Sequence, residues 1–451
     1  MFLKAHIARL CSSAIVWSYA TTFLRFGGVL LVLPVVLRSV PTAELGLFYF
    51  FQTLNVVTSL IDAGVGPTVY RSVSYAFAGA QSLKEKGYEV ETTKEEASPN
   101  AGLLARIVGT YSRFYLLGAG VLLFVFLVIC SPFVWHLTEQ INNPASGRGV
   151  WILLAGAGAF NFAGSLWNSV LAGLNRIREQ QRVQLVSIAI GYLVTIVALL
   201  LGWGLWALAV STVIQAFLSR ELARRISHSY LFYLGVDLKK LSFDSGLFAT
   251  LWPSAWRSGL VSAGVSAYLS IPVFYTSSFT NLDQAASVGL AMQIALTVGQ
   301  VASVVILVKG PLFGILRVSG EIGKLHKIFY QRLVIATFLS LAGSIGVLMM
   351  GNWFIHDLIR SKTHLPSLGV LALILLFVAL DNLQANFRGL AISANQMGFW
   401  KIIAFGGGGV VVASFFALKS GMLLFFCVLI LVKLIIIDLP IVAFGAKTLC
   451  P

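Results

Sequence analysis

Residues 59–79 read SLIDAGVGPTVYRSVSYAFAG, placing Asp62 and Arg71 in an otherwise apolar run with two glycines and Pro67 between them. A charge in hydrocarbon is expensive unless it meets water or a partner. Asp62 and Arg71 are nine residues apart, about 2.5 helical turns, which puts them on opposite faces of an ideal helix. Asp62 therefore needs another partner, and the expected one is Arg25 on the preceding span. Arg25 lies mid-span in YATTFLRFGGVLLVLP, and Arg257 lies mid-span in LWPSAWRSGLVSAG. An arginine grips phosphate with a planar two-pronged fork that lysine lacks. Arg25, Arg71 and Arg257, with Asp62 among them, are thus candidates to line a water-accessible lumen for an anionic substrate. Lys309, Asp381 and Arg388 are further lumen candidates. Arg71, Arg113, Lys309 and Asp438 lie near span ends, where a long side chain can also reach the headgroups.

The elements that must hold these groups are membrane helices. The 451-residue chain is 58% hydrophobic and 11% charged, with a mean hydropathy of +0.87. Such a composition takes the bilayer as its solvent. A span needs roughly 20 apolar residues, and twelve are expected: 12–37, 44–78, 107–134, 150–174, 181–201, 204–226, 247–275, 284–310, 328–350, 366–392, 400–418 and 421–446. The first is too long for a signal-peptide core and reads as an uncleaved span. The second is too long for one straight helix, and a kink is expected at Pro67. With the N-terminus in the cytoplasm, 21 of the 32 Lys and Arg residues fall inside and 5 outside. That bias follows the positive-inside rule and places both termini in the cytoplasm. It also accounts for most of the +15 net charge without any nucleic-acid partner. The loop SLKEKGYEVETTKEEASPN reads as a solvated connection. The 4 cysteines and 6 histidines show no ligand or disulfide spacing, so no metal site and no cofactor are expected.

The two halves echo each other. Gly46 precedes Gly66-Pro67 and Arg71, and Gly289 precedes Gly310-Pro311 and Arg317. An N-terminal six-helix lobe (1–230), a cytoplasmic linker (231–246) and a C-terminal six-helix lobe (247–451) are expected, with the lumen between the lobes. Gly64, Gly66 and Pro67 would form the hinge of one half, and Gly310 and Pro311 that of the other. GGGG at 406–409 reads as close helix packing.

The stretch AELGLFYFFQTLNVVTSLIDAGVGPTVYRSVSYAFAGA (43–80) and the turn LAGLNRIREQQ (171–181) resemble polysaccharide-export flippases of the Wzx type, in the multidrug/oligosaccharidyl-lipid/polysaccharide (MOP) exporter superfamily. The resemblance implies an all-α polytopic bundle of about twelve helices in two six-helix lobes. It implies a flippase for undecaprenyl-diphosphate-linked oligosaccharides at the inner (cytoplasmic) membrane, working beside the polysaccharide polymerase machinery and surrounded by membrane lipid. Basic lumen residues are expected at Arg25, Arg71 and Arg257. Two other functions compete. A multidrug antiporter of the same superfamily needs acids for cationic cargo, whereas the spans here hold three acids to six bases. A polytopic glycosyltransferase or polymerase needs a large outer catalytic loop or paired outer acids, and the first outer loop offers only Glu44. No enzyme signature stands out.

Overall fold

The computed structural model describes residues 14–83, 88–89, 98–237, 241–307, 309, 312–313, 316, 321–393, 398–417 and 421–447. Gly310, Pro311 and Arg317 lie outside the described residues, and so does much of the charged loop after residue 83. The fold is almost wholly helical. Among the described residues, eleven helical segments are long and apolar enough to cross a membrane, and a further apolar helix, α1 (Ala14–Ser39), precedes them. Leu200, Phe405, Phe416 and Met349 are each at least 75% exposed, whereas Asp381, Lys433 and Asp438 are buried. This is the inverse of a water-soluble surface. The chain is a multi-pass membrane protein of all-α class, as the composition implies.

Local signals set the ends of several helices. The Asn100 side chain accepts a bond from the Leu103 amide (2.9 Å) and starts α5 (Ala101–Phe124). Asn143 does the same for Ser146 (3.1 Å) ahead of Pro144, the first residue of α7 (Pro144–Gly173). The second span is divided into α2 (Thr42–Thr53), α3 (Asn55–Asp62) and α4 (Val65–Phe77). Its break is not at Pro67. It falls at Ala63 and Gly64, which adopt left-handed φ values of 44° and 68°. Gly66 and Pro67 lie in the first turn of α4, where proline's missing N–H costs nothing. After α4, Ser82–Leu83 pairs antiparallel with Tyr88–Glu89 as a short β1–β2 ribbon.

Among the described residues, three stretches are π-helical. Val125–Cys130 joins α5 to α6 (Ser131–Thr138) in the third span. Trp353–Leu358 closes the span begun by α12 (Ile322–Asn352). These spans run 38 and 37 residues and are the third of each half. The last π stretch, Leu434–Asp438, lies between α15 (Met422–Lys433) and α16 (Leu439–Lys447).

The chain forms two compact units. Unit 1 comprises Met1–Ser39 and Val57–Ser262, and unit 2 comprises Val40–Val56 and Ala263–Pro451. Each unit therefore takes a short stretch from the other half of the sequence. Unit 1 keeps the start of α10 (Ser245–Phe279) for a visible reason. Asp244 caps that helix through the Leu247 amide (2.9 Å), and its own amide donates to Thr110 Oγ1 on α5 (3.0 Å). Arg106 on α5 donates to Asp244 Oδ2 (2.6 Å). Gly109 leaves room for the Ser242 backbone, which a side chain would strike. In unit 2, Gly46 lets α2 meet the carbonyl of Leu282 at the start of α11 (Leu282–Leu307), and Tyr49 donates to Gln293 Oε1 (2.5 Å). Gly407, in the glycine run of α14 (Trp400–Ala417), packs on Gly264.

Asp244→Ala should lower stability by about 1–2 kcal/mol, the usual cost of losing a helix cap. Asp244→Asn keeps a cap acceptor and loses only an exposed ion pair, so its cost should stay below about 1 kcal/mol. Melting curves of the two variants in detergent test this, and equal losses would show that the cap is not what matters.

Candidate functional site

In unit 1, Asp62 is not paired with Arg25. Tyr115 on α5 donates its hydroxyl to Asp62 Oδ1 (3.0 Å). The amides of Gly64 and Gly66 also donate to the carboxylate. The left-handed break is what turns those two amides back onto Asp62, so the break and the acid form one local unit. The carboxylate is satisfied by neutral donors, which stabilise it without an opposite charge.

Arg25 instead joins a chain of neutral polar groups. Its Nη2 reaches Gln184 Oε1 (3.5 Å) on α8 (Ile177–Leu200). Gln184 Nε2 donates to Asn168 Oδ1 (3.2 Å) on α7 and to Ser219 Oγ (3.2 Å) on α9 (Leu205–Tyr233). The Arg25 side chain is exposed, and Tyr192 donates to its backbone carbonyl (3.0 Å). Gly28 accepts the Tyr192 ring where a side chain would collide. Arg71 and Arg257 are half-buried. The charge of Arg71 acts on the Tyr111 phenol, and the Arg257 guanidinium sits 5.7 Å from the neighbouring Trp256 ring centroid. Arg25, Arg71, Arg257 and Asp62 all fall in unit 1. Nearby, Arg182 stacks over Trp17 (4.6 Å) and Arg220 over Phe160 (4.0 Å).

Unit 2 holds a second, denser charge centre. Lys433 Nζ lies 2.7 Å from Asp438 Oδ1 and 3.3 Å from Asp381 Oδ1. Tyr268 donates its hydroxyl to Asp381 Oδ1 (2.6 Å). Lys433 is 1% exposed, Asp438 3% and Asp381 8%. Asp438 therefore does not reach for the headgroups, contrary to the reading of its position near a span end. Asp381 is buried within unit 2. On α13 (Leu368–Ser393), Gln384 and Arg388 follow Asp381 at three and seven residues and so share its face. Gln384 is fully buried with neither amide atom bonded, and Arg388 Nη1 is buried without a hydrogen bond. Lys309 stands in the turn after α11, its amide bonded to the Ile306 carbonyl (2.8 Å). Asn382 is used in packing, donating to the Gly299 carbonyl (2.8 Å) and accepting from Ser303 (2.5 Å).

Each unit thus pairs a span carboxylate with a buried tyrosine hydroxyl. Tyr115, Tyr268, Gln184, Ser219 and the Lys433–Asp438 pair are functional candidates that hydropathy and spacing did not reveal. Among the described residues, no three His, Cys, Asp or Glu side chains converge as a metal site.

No family model matches the chain, and no curated protein matches it. Solved structures do. A multidrug resistance MATE family transporter of the MOP superfamily in an inward-facing conformation aligns over 97% of this chain and 98% of its own, with a TM-score of 0.67 at 12% identity. An outward-facing structure of a multidrug resistance MATE family transporter gives 0.62 at 13% identity, over 98% and 97%. A MOP superfamily transporter from Pyrococcus furiosus, described as having a binding pocket of reverse polarity that suggests a different function, gives 0.64 at 12% identity, over 98% and 97%. The chain has the fold of MOP superfamily transporters from end to end.

Proposed function

We propose that the protein is a transporter that flips undecaprenyl-diphosphate-linked oligosaccharide units from the cytoplasmic to the outer leaflet for surface-polysaccharide synthesis. It works in the cytoplasmic membrane with both termini inside, and it catalyses no covalent step. One observation carries the choice of an anionic cargo. Asp62 is consumed by Tyr115 and two amides, and Asp381 and Asp438 are consumed by Lys433, whereas Arg25 is exposed and bonded to a neutral amide. The acids are therefore committed inside their units, and a cationic drug has little negative charge left to seek. Arg25, Arg71 and Arg257 bind the diphosphate through bidentate bonds. Asn168, Gln184 and Ser219 lie beside Arg25 with donors and acceptors suited to sugar hydroxyls. The lipid tail stays in the bilayer throughout. Alternating access moves the headgroup, with the Ala63–Gly64 break flexing as span 2 moves.

The shared fold with multidrug resistance transporters supports a second reading, an ion-coupled drug antiporter. One experiment separates the two. The protein is reconstituted into vesicles with either a fluorescent lipid-diphosphate sugar or a cationic dye. Flippase function requires protein-dependent exposure of the lipid-diphosphate sugar to an outer-leaflet probe, with no dye movement. Dye transport with a static lipid would reverse the assignment.

A further inference from the structure

The Lys433 centre has a composition that the anionic-cargo reading does not use. Three oxygen atoms converge on one buried place: Asp438 Oδ1, Asp381 Oδ1 and the Tyr268 hydroxyl bonded to Asp381. Carboxylate and hydroxyl oxygens are the donors that hard cations prefer. The Tyr268 and Phe377 ring centroids lie 5.0 and 5.3 Å from Lys433 Nζ, and aromatic faces attract cations. Asp438 Oδ2 is buried with no hydrogen bond, so the pocket has acceptor capacity beyond what the ammonium uses. Arg388 acts electrostatically on Asp438 and Tyr268, so one of the two negative charges is already partly offset. What remains is a place for a single positive charge, which excludes a divalent ion. Two buried carboxylates cannot stand without that charge.

The π turn is what delivers it. In an α-helix, positions five apart are about 140° apart around the axis. The π-helical stretch from Leu434 to Asp438 winds more loosely and brings Asp438 onto the side of Lys433. The chain bends its own helix to set an ammonium against both acids.

We propose that Lys433 is a resident cation: its ammonium fills a two-carboxylate pocket that would otherwise bind a monovalent metal ion, and its removal opens the pocket to sodium or potassium. In the wild-type protein this pocket therefore takes up no metal cation, and any cation coupling through this centre is closed by the side chain itself. The reading is independent of what the transporter carries.

The test is thermal melting of the full-length protein in detergent, in sodium, potassium or choline chloride at matched ionic strength. Wild type should melt at the same temperature in all three. Lys433→Ala should melt about 5–10 °C lower in choline chloride, as expected for breaking a buried ion pair. Sodium or potassium should recover at least half of that loss, and propylammonium, which replaces the deleted amine, should recover it too. Lys433→Ala with Asp381→Asn and Asp438→Asn has no charges to neutralise and should show no cation response. A sodium- or potassium-dependent shift in wild type would overturn the proposal. So would a Lys433→Ala protein that gains nothing from any of the three cations, including one that stays unfolded in all of them.

Discussion

Gly259→Val should prevent unit 1 from folding. Gly259 lies on α10 directly against the break in span 2, and a side chain there would strike the backbone of Ala63. The contact is reciprocal. A Cβ on Gly64 would lie 2.5 Å from the Gly259 nitrogen and 2.6 Å from Ser258 Cβ, and Gly64 also needs its positive φ of 68°. Overpacking usually costs 1–3 kcal/mol because neighbouring side chains can shift. Here the obstacle is main chain on both sides, and the Asp62 carboxylate holds one of them through the Gly64 and Gly66 amides. The cost should exceed about 4 kcal/mol, the upper end of single-site effects. Gly120→Ala is the matched control, since a Cβ there meets nothing within 4 Å. It should be neutral or slightly stabilising. Size-exclusion profiles of detergent-solubilised protein measure both. A monodisperse Gly259→Val protein melting at the wild-type temperature would show that the two segments are not in backbone contact.

Arg25→Ala with Arg257→Ala should reduce lipid-diphosphate flipping by roughly 10²- to 10⁴-fold, since each lost charge-assisted bond is worth about 1.5–3 kcal/mol. The protein should still insert, and the Arg25→Ala change alone should leave its melting temperature unchanged. Arg25 is not paired with Asp62, its expected partner, because Tyr115 and two amides hold that acid. Arg25 loses only a 3.5 Å bond to Gln184 and leaves the bonds of Gln184 to Asn168 and Ser219 in place. Arg→Lys at both positions should recover part of the activity, because the ammonium keeps the charge and loses the fork. Full activity in the double alanine variant would remove the arginines from substrate recognition and leave only the fold.

The spans were legible because lipid demands long apolar runs, and asparagine caps at 100 and 143 mark helix starts by local chemistry. The break in span 2 was legible in Gly64, one of the expected hinge residues, whereas the kink expected at Pro67 lies three residues past the turn. Proline looks like the breaker, but the first turn of a helix tolerates it, and the chain turns instead at Ala63 and Gly64. The partner of Asp62 was not legible. Tyr115 lies 53 residues away in an apolar run, and nothing in its neighbourhood marks its hydroxyl as a donor. The Lys433–Asp438 pair was hidden by geometry. Five-residue spacing predicts separate faces, and the place of Asp438 near a span end suggests snorkelling, whereas the π turn puts both inside.

A π turn is also one residue more than an α-helix requires, accommodated without ending it. The last one makes the C-terminal segment a register device. An in-frame deletion of one codon within Leu434–Asp438 would leave an uninterrupted α-helix in which the lysine and the aspartate stand four apart, about 40° around the axis. The faces after it, with Ile441 and Gly445 buried, would be kept, because the looser π turn had already absorbed the extra residue. A one-codon deletion in the α-helical part, between Met422 and Lys433, has no such slack and would turn the two flanking parts by about 100° relative to each other. A homologous chain one residue shorter in the π stretch could hold its internal cation by ordinary four-residue spacing.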